Sequence, residues 1–118
     1  MNVIAEKQLS ELTDTIHDWW FDLDCISLDA DRKVVAIHLE EKARHLAGGS
    51  PDGLDLLIRN AEALKIVDSE KVGRYDINDI RYVAQDRLVV VTTGIPVTIE
   101  VKVTSLNIEV VAANAARE

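Results

Sequence analysis

Basic residues are almost missing from the first 31 positions of this chain, cysteine occurs once, and aromatic residues make up only 4% of it. The lone cysteine, Cys25, rules out an internal disulfide framework and any multi-cysteine zinc site. The shortage of base, 13 residues against 21 acidic ones, leaves a formal charge of -8. Nucleic acids and anionic membranes carry the same sign, so neither is expected as a partner. No apolar run approaches the ~18 residues of a membrane span. The opening residues, Met1 to Lys7, lack the basic start and apolar stretch of a secretory signal, so the expected location is cytoplasmic.

With so few aromatic side chains, the core must be built from Val, Ile, Leu and Ala. At 118 residues and 47% apolar content there is enough of these for one core, which implies a single domain over 1–118. Ile4, Ala5, Leu9, Leu12 and Ile16 recur at spacings of three and four, which predicts an amphipathic helix over 1–17 with Asn2 as its N-cap and an end near His17.

The period then changes to two. Val35, Ile37 and Leu39 alternate with Val34, Ala36 and His38, and Leu54, Leu56 and Ile58 with Asp55, Leu57 and Arg59. Val97, Ile99, Val101 and Val103 against Thr98, Glu100, Lys102 and Thr104 describe a strand with one dry and one wet face. Further strands are predicted at Ile80–Ala84, Leu88–Val91 and Leu106–Val110, with a weaker one at 61–67 that Lys65 dilutes. Asp29–Arg32 and Gln85–Arg87 read as hairpin turns. The expected fold class is α+β: one N-terminal helix, then a β-rich body over 21–112 of seven or eight mostly antiparallel strands, curled into a sandwich or partial barrel. Residues 40–53 lack strand periodicity and read as a long loop, and 113–118 as a frayed tail.

The charge is unevenly placed. Residues 1–31 hold eight acidic groups and one base, whereas the remainder is nearly balanced. Between Asp14 and Asp31 there are six aspartates and no Lys or Arg, and three of the chain's five aromatic residues, Trp19, Trp20 and Phe21, stand inside that stretch. Aromatic anchors among like charges suit an interface with a basic protein, so Asp18, Trp19, Trp20, Asp22 and Asp24 are the candidate partner-binding residues. Consecutive aromatic residues after a helix also plug cores, and Asp29 and Asp31 are ordinary turn formers.

No constellation carries an enzyme signature. His17 and Asp18 are neighbours in sequence and would not face each other on a helix. The spacings of His17, His38 and His45 match no metal motif, and Asp22–Lys33 lacks the glycine and terminal glutamate of a calcium loop. Cys25 sits among carboxylates that disfavour a thiolate and is expected as a buried, inert thiol. The glycine-rich stretch 48–53 has no Lys-Ser or Lys-Thr continuation for phosphate. No catalytic residue, metal or cofactor is therefore expected.

The order of a helix, then Ile16-His17-Asp18-Trp19-Trp20-Phe21-Asp22-Leu23-Asp24, then Ile26 and Leu28 before an Asp-containing hairpin resembles the opening of several small uncharacterised bacterial β-rich families, some classed as immunity proteins of polymorphic toxin systems. The resemblance covers residues 9–39 and implies a compact, cytoplasmic, non-catalytic protein. Three functions stay open: a binding or inhibitory module for a basic partner; a homodimer that covers apolar edges at Leu88–Val91 and Val97–Val103; and a small-ligand carrier with His38, Arg44 and His45 at the mouth of a curled sheet.

Overall fold

A computed structural model describes residues 2–17, 19–40, 53–68, 74–94 and 97–112. The elements in chain order are β1 (Asn2–Val3), a 3-10 turn (Glu6–Gln8), α1 (Leu9–Ile16), β2 (Trp20–Asp22), a second 3-10 turn (Leu23–Cys25), β3 (Ile26–Asp29), β4 (Val34–Leu39), β5 (Leu54–Arg59), β6 (Ala61–Asp68), β7 (Arg74–Val83), β8 (Leu88–Thr93), β9 (Val97–Val103) and β10 (Ile108–Ala112). They form two five-stranded antiparallel sheets, one of them curled into a half-barrel. Sheet 1 has the order β1-β10-β5-β4-β3, and sheet 2 the order β2-β7-β8-β9-β6.

The strand alternation carries the core. Val35, Ile37 and Leu39 of β4, Leu56 and Ile58 of β5, and Ile108 and Val110 of β10 are buried from one sheet. Val89 and Val91 of β8 and Val97, Ile99, Val101 and Val103 of β9 are buried from the other. All join Leu9, Leu12 and Ile16 of α1 in one apolar cluster, and no polar side chain is buried among the described residues. The described residues thus face one another between the sheets through hydrocarbon.

Two ribbons join the sheets. β5 runs into β6, and β9 into β10, so each passes from one sheet to the other at the same corner. There Asn60 takes φ 58°, its carbonyl accepts the Thr104 N–H at 3.0 Å, and its side-chain amide donates to Ser105 Oγ at 2.9 Å. Asn tolerates this left-handed backbone better than other residues with a side chain, which lets the chain turn without a glycine.

Three expectations need correction. The helix starts at Leu9, not at the first residues: Asn2 and Val3 form β1 against Glu109 and Ile108. Asn2 is no N-cap; its amide donates to Asn107 Oδ1 at 2.8 Å. Burial of Val3 against a strand beats the helical periodicity, leaving Ile4 exposed, and Gln8 Oε1 accepts the Ile4 and Ala5 N–H groups in its place. Second, Leu88–Val91 and Val97–Val103 are interior strands, while the strand read as weak, β6, is an eight-residue edge paired along β9. Third, Cys25 belongs to a 3-10 turn and is half-buried, not shut inside a strand. The tail 113–118 and most of the loop 40–53 lie outside the described residues.

Candidate functional site

β2 is short because only its middle residue reaches the core. Phe21 is buried and meets the Tyr75 ring at a centroid distance of 5.9 Å and a tilt of 33°, so its neighbours Trp20 and Asp22 face the other way and are half-buried. Trp19 packs against the core instead. The two tryptophans therefore part company, as adjacent residues of an extended chain must.

Pairing adds acid around Trp20. Asp76 of β7 stands directly opposite it, and Glu40, just past β4, exchanges two backbone hydrogen bonds with it, each 2.7 Å long. The Asp76 carbonyl accepts the Gly94 N–H at 3.3 Å, and its carboxylate packs against Gly94, where a Cβ would stand 2.9 Å from Oδ1. Asp24 is exposed in the turn that follows β2. Of the residues expected to bind a partner, Trp20 and Asp22 thus share one face of β2, and Asp24 lies in the exposed turn that leads from β2 to β3. Trp19 turns inward, and Asp18 lies outside the described residues. Asp76 and Glu40 were missed because they arrive through long-range pairing, which leaves no local pattern. The same pairing sets Arg74 opposite Asp22, so the strand positions around Trp20 hold Asp22 and Asp76 with one base beside them; an indole ring face and a neighbouring carboxylate both attract ammonium and guanidinium groups.

A second polar cluster occupies the outer face of sheet 1. His38 Nδ1 lies 2.9 Å from Asp55 Oδ1 in a directly opposed cross-strand pair, and both side chains are mostly buried. Arg59 donates from Nη2 at 2.6 Å and from Nε at 3.2 Å to Glu109 Oε1. Next to these pairs lies a shallow concavity of about 530 Å³, floored by Val34, Ala36, Leu57 and Val111. Of the three residues expected to hold a ligand, His38 is therefore on an outer sheet face; Arg44 and His45 lie outside the described residues.

No group of three or more His, Cys, Asp or Glu side chains is placed to hold a metal among the described residues. Cys25 ends the 3-10 turn just before β3, and His38 is held by Asp55. His17 caps α1 with its N–H on the Thr13 carbonyl at 2.8 Å, at the helix end where a cation is favoured. Comparison with family models, with curated proteins and with solved structures finds no match to this chain.

Proposed function

We propose that this protein is a non-catalytic binding module that engages a basic protein partner through Trp20 and the carboxylates around it, in the manner of an inhibitor or immunity protein. The observation that carries the reading is the outward, half-buried Trp20 on a three-residue edge strand, with Asp22 on the same face, Asp76 opposite and Glu40 bonded to its backbone. A rigid aromatic side chain loses little entropy on docking, and carboxylates around it steer a cationic surface toward it. The excess of acid in the first 31 residues extends the negative potential beyond the contact itself.

The test uses the full chain as bait in extracts at about 0.05 M and about 0.5 M salt, conditions whose screening lengths differ about threefold. The expected result is a near-stoichiometric basic protein that is retained at low salt, lost at high salt, and lost with Trp20→Ala or with Asp22→Asn combined with Asp76→Asn. Equal capture by the wild type and both variants, with circular dichroism showing all three folded, would remove the reading.

A further inference from the structure

The outer face of sheet 1 sets an apolar centre among charged flanks. An antiparallel sheet with one side in water alternates dry and wet positions, as β9 does with Thr98, Glu100 and Lys102 facing out. The outward positions at the centre of sheet 1 are instead Val34, Ala36, Leu57 and Val111, and they floor one concavity. The pairing register orders the charges around this floor. The central row runs Ser27, Ala36, Leu57, Glu109; the row on one side holds Asp29, Val34 and Arg59, and the row on the other side His38, Asp55 and Val111. Read along β5, the face is negative at Asp55, apolar at Leu57 and positive at Arg59.

We propose that this face packs on the same face of a second copy of the chain, about a two-fold axis that runs along the Ala36–Leu57 row. That operation sets Leu57 against its symmetry mate and exchanges the flanking rows, so that Arg59 of each copy lies over Asp55 of the other. The β5 strands of the two copies run antiparallel, in the aligned geometry of stacked sheets about 10 Å apart.

Charge singles out a second copy as the occupant. Two chains of net charge -8 repel over most of their surfaces, most strongly through the first 31 residues. On this face Arg32 and Arg59 stand against Asp29, Asp55 and Glu109, close to neutrality, and along β5 Arg59 and Asp55 stand on opposite sides of Leu57. A strand that carries opposite charges on either side of one apolar residue matches itself after a half-turn about that residue. The guanidinium of Arg59 is already held by two bonds to Glu109 Oε1, which leaves Nη1 to donate across the interface with little further loss of freedom.

Sedimentation or light scattering of the full chain over a concentration series tests this. The expected result is a dissociable dimer for the wild type and a monomer for Leu57→Lys, a change at an outward position opposite Glu109, with circular dichroism showing both folded. Arg59→Asp and Asp55→Arg each set like charges face to face and raise the dimer dissociation constant about tenfold. An equimolar mixture of these two variants restores opposite charges at both contacts, so native mass spectrometry should find the mixed dimer in excess over either homodimer. The mixing arm separates the interface from any loss of the Arg59–Glu109 or His38–Asp55 bond, because both losses are present in the mixture too. A wild type that stays monomeric at high micromolar concentration overturns the proposal. So does a dimer that Leu57→Lys leaves intact, or a mixture that forms no mixed dimer.

Discussion

His38 and Asp55 face each other across β4 and β5 with Nδ1 and Oδ1 2.9 Å apart. The carboxylate fixes the ring so that Nδ1 carries the proton when the imidazole is neutral. With both groups mostly buried, loss of the acceptor leaves a donor poorly satisfied. Asp55→Ala is expected to lower stability by about 1–2 kcal/mol, and thermal unfolding of dilute protein should show a drop of several degrees.

Gly53 and Gly94 give a contrast. Gly53 has φ 73°, and a Cβ there would fall on the Leu39 carbonyl oxygen and crowd the His38 ring. Neither the backbone nor that oxygen can yield, so Gly53→Ala should cost about 3 kcal/mol or more. At Gly94 the nearest atom is the end of the Asp76 carboxylate, which rotates. Gly94→Ala should change stability by less than about 1 kcal/mol. Denaturant melts of the two variants measure the difference directly.

Asn60 is the third test. Its left-handed backbone suits glycine at least as well, while its side chain holds Ser105 across the corner. Replacement by glycine removes only the hydrogen bond and should cost about 1 kcal/mol, whereas Asn60→Ala adds the steric penalty of a Cβ at positive φ and should cost about 1 kcal/mol more. Equal losses in urea melts would show that the backbone conformation contributes nothing.

The aromatic segment separates stability from binding. Phe21→Ala opens a void against Tyr75 in the core and should destabilise by about 3–5 kcal/mol. Trp20→Ala, from the outward face, should lose less than half as much stability while abolishing capture of a basic partner. Melting curves and binding measured on the same preparations should therefore rank the two variants in opposite order.

How far these features were legible in sequence depended on how local their causes are. The alternation of Val97, Ile99, Val101 and Val103 predicted a half-wet strand, and all four are buried. The Asp29–Arg32 turn was equally plain, because Asp29 Oδ1 accepts the N–H groups of Asp31 and Arg32, both at 3.1 Å, within four residues. β7 was half-read. Tyr75 and Ile77 face the core, a bulge between Ile77 and Asp79 shifts the phase, and Ile80 faces the core three positions on, where strict alternation predicts surface.

Position in the sheet was harder to read than strand formation. Leu88–Val91 is apolar at every position and looks like an exposed edge in need of cover, yet β7 and β9 flank it and Val90 lies between Arg81 and Glu100 on the outer face. The candidate site was legible as far as Trp20 and Asp22, whose common face follows from the inward Phe21. Asp76 and Glu40 belong to it only through strand pairing, and no local window of sequence contains that information.

The pairing of β1 with β10 sets an order of events during synthesis. Asn2 and Asn107 touch although 105 residues separate them, so the second residue of the chain has no place to go until nearly all the described strands exist. β5 can pair with β4 at once but waits for β10 on its other side, and β2 waits for β7. Such distant contacts slow folding and prolong exposure of unpaired strands. The seven excess negative charges of residues 1–31 give such incompletely paired chains a mutual repulsion that opposes their association.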